Sequence, residues 1–250
     1  LSMSLPMVLS MAVNSLYNII DSYFVAKLSG NAMTALALVY PVQNLISAIA
    51  IGFGIGINAC IALYLGAGDS ARANSAATLG TLLSFLHGVL LSVLCIMGMP
   101  LFLKGFSSDT ETTAMVLCYA NRAFLFSPVI HLGLSFEKFF QAMGKMKISM
   151  FSMMCGCVAN ILLDTLMIFG TGFIPAMGIA GAAYATGIGQ CITLFLYILF
   201  YVRCPMPVTI GRRYVAPDRP VLKKLYSVGI SATLSLALPS LLISALNGLL

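Results

Sequence analysis

Asn160-Ile161-Leu162-Leu163-Asp164 is the stretch on which the reading of this chain turns. It lies inside Ile148 to Gly170, a run with no other charged residue and few strongly polar ones. Asn160 and Asp164 are four positions apart, so on an α-helix they sit one turn apart on one face. A carboxylate at that depth in a bilayer costs on the order of 2.5–3.5 kcal/mol on insertion scales. Such a group faces the protein interior, an ion path or a water-filled cavity. The plainer alternative is a helix–helix hydrogen bond that only holds a bundle together. The ionisable member of the pair favours the functional reading.

Composition supports a membrane setting. Hydrophobic residues make up 60% of the chain and charged ones 8%, with a mean hydropathy of +1.01, whereas soluble domains carry about 25% charged residues. The apolar runs are too long and too free of alternation to be barrel strands. The fold class is therefore an all-α polytopic membrane protein. A net charge of +6 would suggest nucleic acid in a soluble protein. Here the cations collect in the turns between apolar runs, and no nucleic-acid partner is expected. The seven cysteines are scattered through apolar segments and imply no disulfide framework. Cys155-Gly156-Cys157 has no companion His or Cys at metal-ligand spacing and reads as small-residue packing. Leu1 already lies in an apolar run with no initiator Met. No cleavable leader is read there, and the chain is expected to be cut at both ends.

The first span runs from about Leu1 to Ala26. It carries Asn14, Tyr17, Asn18 and Asp21 at i, i+3, i+4 and i+7, a polar stripe expected to face inward. Pro6 removes a backbone hydrogen bond and clashes with the preceding turn, so a hinge is expected there. The second run, Ala32 to Ala67, exceeds the roughly 20 residues a span needs, so part of it is expected to be loop or to bend near Pro41. Its Gly52-Phe53-Gly54-Ile55-Gly56 follows no strand and precedes no acidic ribose partner, so it reads as close helix packing rather than a dinucleotide loop. A third span covers about Ala73 to Leu103 and a fourth about Ala114 to Gln141. His87 and His131 within them read as hydrogen-bonded packing residues. Arg122 either snorkels to the outer surface or pairs inside the bundle.

The fifth span carries the Asn160–Asp164 pair, and the sixth, about Gly178 to Val202, opens on small residues that permit close helix approach. Residues 203–224 form a basic, proline-rich connector. A seventh span begins near Leu225 and includes Pro239. The organisation read from this is a six-helix lobe over 1–202, the connector over 203–224, and the start of a second lobe over 225–250. That last span echoes the first at an offset of 225 residues, with Ser2, Leu5 and Leu9 meeting Ser227, Ile230 and Leu234. Leu246 would then stand opposite Asp21, leaving the acidic site to the first half. Arg72, Lys145, Lys147 and the six cations of the connector occupy alternate turns, against Lys27 and Lys104 in the others. The positive-inside rule puts those richer turns, and the N-terminus, on the cytoplasmic side.

Several of these stretches, in this order, resemble the multidrug and toxic compound extrusion (MATE) transporters. They are Pro6 with Asn18-Ile19-Ile20-Asp21, Gly66-Ala67-Gly68-Asp69, Gln141-Ala142-Met143-Gly144, Asn160-Ile161-Leu162-Leu163-Asp164 and Gly178-Ile179-Ala180-Gly181-Ala182-Ala183-Tyr184-Ala185-Thr186. The resemblance implies twelve helices in two six-helix lobes, with this chain as the first lobe plus a partial seventh helix. It also implies antiport in a cytoplasmic membrane, in which entry of Na⁺ or H⁺ drives export of organic, often cationic, compounds. The implied partners are a small organic substrate, membrane lipid and a missing C-terminal lobe. No cofactor is implied beyond the coupling ion. The cation site carried over from the family comprises Asp21, Asn160, Asp164 and Thr186, with Tyr17 as a further member. Thr165 stands where many relatives have proline.

If Asp21 and Asp164 face each other, two carboxylates in a poorly solvated pocket cannot both stay ionised uncompensated; a proton or a cation must join them. Two intramembrane aspartates also suggest an aspartyl protease, but the Gly-x-Gly-Asp context of such enzymes is missing, since Asp164 follows Leu162-Leu163. No enzyme activity is expected. A lipid-linked precursor flippase of the same wider superfamily is the nearer alternative. It would more naturally line its cavity with several basic residues, and the spans offer Arg122 and Lys138 alone.

Overall fold

The computed structural model describes residues 4–104, 109–170 and 175–247, except the side chains of residues 4–7, 10, 11, 14 and 239–247. Eight α-helices appear among them: α1 Ser4–Ala26, α2 Gly30–Gly66, α3 Ser70–Leu103, α4 Thr110–Leu125, α5 Ser127–Ala142, α6 Met146–Phe169, α7 Ile179–Arg203 and α8 Arg219–Asn247. Five of them are long and apolar enough to cross a membrane, and the bent pair α4–α5 makes a sixth. The protein is a multi-pass, all-helical membrane protein.

Side-chain caps and glycines set the helix ends. Ser29 accepts from the Ala32 amide, Asp69 from Arg72, and Asp109 from Glu111 and Thr112, each satisfying donors that the first helical turn leaves free. The Thr112 hydroxyl and amide hold the Asp109 carboxyl below the usual carboxylate range. Gly68 and Gly144 take φ values of 75° and 71°. At both, the next residue's amide bonds back five positions, Asp69 to Tyr64 and Lys145 to Phe140, a closure that needs the left-handed conformation glycine adopts without penalty. The Gly66-Ala67-Gly68-Asp69 and Gln141-Ala142-Met143-Gly144 stretches are thus the same device, closing α2 and α5.

Three spans differ from expectation. α2 is one continuous helix of 37 residues through Pro41, because Ser29 caps it early; none of its apolar run is loop. The fourth span is two helices bent by 45° at Phe126, where Pro128 in the first turn of α5 has no N–H to bond back to α4 and its ring crowds the preceding turn. α8 begins at Arg219, six residues before Leu225, because Asp218 accepts from the Val221 amide and Pro220 suits the opening turn. On α1, Tyr17 and Asp21 turn inward while Asn18 is exposed; α6 covers only one flank of the stripe. The side chains of Asn14, Pro6, Pro239 and Leu246 lie outside the described residues.

α2 runs through the middle of the bundle, against α3, α4, α5 and α8. Its glycines permit this. A Cβ on Gly56 would stand 2.6 Å from the Leu225 carbonyl oxygen of α8, and one on Gly54 would stand 2.9 Å from Cγ of Lys138 on α5. Phe53 lies edge-on to His87, whose Nε2 is 3.2 Å from the Tyr226 hydroxyl. His131 is buried, its Nδ1 2.9 Å from the Ser127 carbonyl. Both histidines bind inside the bundle rather than stand alone.

The connector is not loose. Asn74 on α3 accepts from the Thr209 amide at 2.8 Å and donates to the Tyr214 hydroxyl at 3.0 Å. Thr78 accepts from the Gly211 amide, Tyr201 from Ile210, and Lys145 donates to the Pro205 carbonyl. Val208 is fully buried. The three basic turns therefore lie at one end of the bundle, strapped together.

Two outcomes follow. Gly181→Ala would drive a Cβ into the Met167 carbonyl and should cost about 1–3 kcal/mol, read as a lowered unfolding midpoint in detergent; Gly98→Ala, with nothing within 4 Å, should cost nothing. Asn74→Ala should release the strap and speed trypsin cleavage at Arg212 and Arg213, with the rest of the digest unchanged.

Candidate functional site

α6 has two faces. Ser149, Ser152, Gly156, Asn160 and Asp164 are buried along one, while Phe151, Met154, Val158, Leu162 and Leu166 are exposed along the other. That is the period of a helix with one side in the bundle. Gly156 and Gly189 bring α6 and α7 together. A Cβ on Gly156 would stand 2.8 Å from the Gly189 carbonyl oxygen, and one on Gly189 would stand 3.0 Å from the Asn160 Cβ. The helices are antiparallel, so Asn160, one turn after Gly156, meets Thr186, one turn before Gly189. Asn160 Nδ2 donates to Thr186 Oγ1 at 3.4 Å.

α1 packs along the same face of α6 and delivers Asp21. Asp21 is 7% exposed, Asn160 3% and Asp164 0%. The two carboxylates lie close enough that the charge of Asp21 acts on Asp164. Among the described residues, Oδ1 of Asp21, Oδ1 of Asn160 and both carboxylate oxygens of Asp164 are buried without a hydrogen-bond partner. Leaving such groups unsatisfied costs about 1–3 kcal/mol each, more when charged. Four orphaned oxygens and one hydroxyl from three helices form a hard-oxygen cluster, which suits a proton or an alkali cation rather than a soft metal.

The structure brings together all five residues expected in the cation site, since Tyr17 also lies within the influence of both carboxylates. Pro6 falls in the first turn of α1, away from this cluster. One further residue borders it. Tyr119 of α4 is 2% exposed and feels the charges of Asp21 and Asp164, and its hydroxyl accepts from Gln43 Nε2 of α2 at 3.3 Å. The adjacent amides Gln43-Asn44 in the apolar run of α2 were the available sequence signal. Tyr119 gave none, because a tyrosine is ordinary in an apolar helix. Thr165 leaves α6 helical through Phe169, its hydroxyl bonded to the Ile161 carbonyl at 3.3 Å.

Comparison with known proteins bears on what such a bundle belongs to. The MatE family model matches residues 6–166. The multidrug export protein MepA of Staphylococcus saprophyticus is 27% identical over 92% of this chain and 51% of its own length. Among solved structures, a multidrug resistance MATE family transporter of the MOP superfamily in an outward-facing conformation superposes with a TM-score of 0.87 at 28% identity. That match covers 94% of this chain and 51% of the other. A MATE in the straight conformation gives 0.86 at 30% identity over 94% and 52%. The chain spans about half the length of the curated relatives it matches.

A cluster of this kind should bind ions measurably. In the full-length purified protein, Na⁺ or mild acid should raise the unfolding midpoint. Asp21→Asn and Asp164→Asn should each remove most of that gain and Thr186→Val part of it; an undiminished gain in Asp164→Asn would remove the cluster from consideration.

Proposed function

The chain belongs to the MatE family, and from that premise we propose that it works in cation-coupled export of organic, chiefly cationic, compounds. In this reading Na⁺ or H⁺ enters at Asp21, Asn160, Asp164 and Thr186, with Tyr17 at the margin, and its passage drives the compound out. The observation that carries it is Asp164, fully buried beside Asp21 with neither carboxylate oxygen partnered. A structural hydrogen bond would have used those oxygens.

The chemistry follows from charge. Without a bound ion, α1 and α6 present two carboxylates to each other in a medium of low dielectric, and the repulsion favours their separation. A proton or Na⁺ removes that repulsion and draws the helices together. Pro6 supplies the place where α1 bends in response. Cation and cargo then favour opposite conformations, and each shifts the equilibrium only by its differential affinity for the two. The basic end of the bundle faces the cytoplasm of a plasma membrane in this reading, with the N-terminus on that side. A second lobe supplies the other wall of the transport path. Two relatives, a multidrug export protein and a multidrug resistance transporter, support the cargo class.

Asp164→Asn in the full-length protein should abolish cation-coupled efflux of a lipophilic dye from energised membrane vesicles while leaving insertion intact. Efflux that persists and still depends on Na⁺ or pH would refute the assignment. Imposing the Na⁺ and pH gradients separately identifies the ion.

A further inference from the structure

Arg122 is a charge deep in a span that the cation site does not use. It lies twelve residues after Thr110, the start of α4, roughly 18 Å along the helix axis. Beyond it, α5 continues for 16 residues. Arg122 thus sits well inside the bent α4–α5 span and away from both of its ends. It bonds inside the bundle: Nη1 donates to the Cys118 carbonyl at 2.7 Å and lies 3.0 Å from Cys118 Sγ. Its Cζ stands 5.7 Å from the centre of the Tyr184 ring on α7. The Phe126 ring fills the space where a Gly187 side chain would project, which locks the last turn of α4 onto α7 and fixes the spacing of Arg122 and Tyr184.

What Arg122 lacks is an anion. Among the described residues it makes no ion pair, and its Nε–H is buried with no acceptor. A guanidinium stays protonated under all ordinary conditions. A cation–π contact is worth about 0.5–2 kcal/mol, short of the 2.5–3.5 kcal/mol or so that an arginine costs at the centre of a membrane. Asn121, beside it on α4, is exposed at the same depth; two strongly polar neighbours at mid-span mark a wet face rather than a lipid-facing one. Tyr119, which borders the carboxylate pair, lies one turn before Arg122 on α4. A positive subsite thus adjoins a negative one.

We propose that Arg122 and Tyr184 form an oxyanion-recognition subsite that takes the carboxylate of a transported compound. This rests on the exporter reading and adds a specificity determinant to it. The ligand's oxygen supplies the acceptor that Nε–H lacks, and the Tyr184 ring, edge or face, borders the ligand's apolar body. Charge-assisted bonds from arginine to carboxylate are about twice as strong as neutral ones, so their loss should be visible against an uncharged analogue.

The test uses one fluorophore in two forms: a rhodamine methyl ester, which is a cation, and the same rhodamine as its free carboxylate, a zwitterion. Binding of each to purified full-length protein is followed by fluorescence polarisation for the wild type, Arg122→Gln and Arg122→Lys. The expected result is roughly a tenfold weaker Kd for the carboxylate dye in Arg122→Gln, as for one charge-assisted bond, partial retention in Arg122→Lys, and less than a twofold change for the ester in either. Equal weakening of both dyes would make Arg122 a purely structural residue and overturn the proposal, as would a carboxylate dye that does not bind the wild type. Displacement of the carboxylate dye by chloride at matched ionic strength would reassign the subsite to inorganic anions and overturn it likewise. Cation-driven efflux of the ester from vesicles is read separately; its absence would count against the exporter reading, whereas the binding comparison stands on its own.

Discussion

Two acidic side chains brought to one point inside an apolar bundle are the constraint around which this structure is arranged. Asp21 and Asp164 come from helices far apart in sequence, both are buried, and among the described residues Asp164 has no hydrogen-bond partner at either oxygen. Folding alone would not select such a pair, since an apolar residue at either position would pack at less cost. The arrangement makes sense for a group whose partner arrives and departs. In the proposed function it also gives the bundle a reason to have two shapes, because the force between α1 and α6 would change with the charge between them.

The surrounding architecture supplies precision at that point. The Gly156–Gly189 crossing sets the separation of α6 and α7, and with it the 3.4 Å reach from Asn160 to Thr186. Gly52, Gly54 and Gly56 let α2 run between α8 and α5 at backbone contact. In a bilayer, where hydrophobic association between helices is weak, such close approach and the dispersion contacts it allows hold helices together. The small residues that make the chain look featureless are therefore what position its few polar groups.

At the basic end, hydrogen bonds add to the apolar packing of Val208 and Val221. Asn74, Thr78, Tyr201 and Lys145 all bind the connector, and the Arg213 guanidinium, bonded to the Tyr214 hydroxyl, holds that phenol below its usual range. α7, α8 and the starts of α3 and α6 are thereby tied at one end, while α1 and its Asp21 are not part of the strap. α1 packs chiefly on α6 and stands outside that tie.

Much of this was legible without coordinates. Apolar runs of more than about 20 residues with almost no charge leave helices as the only spanning structure. The i, i+4 spacing of Asn160 and Asp164 set both on one face because helical periodicity is local. Tyr17 and Asp21 followed for the same reason, and the small residues around Gly181 announced close packing. The bend at Phe126, the early start of α8 at Arg219 and the continuity of α2 through Pro41 were written in local signals too: a proline in an opening turn, an aspartate cap and a serine cap. They were outweighed by hydropathy, which has no sharp edges. What no local signal carried was which inward faces meet. That Tyr119 borders the carboxylates and bonds to Gln43, that Arg122 lies on Tyr184, and that a proline-rich connector is pinned to Asn74 were decided by helix packing. Contacts between residues tens to hundreds of positions apart depend on the crossing of whole helices, and only the folded bundle fixes that.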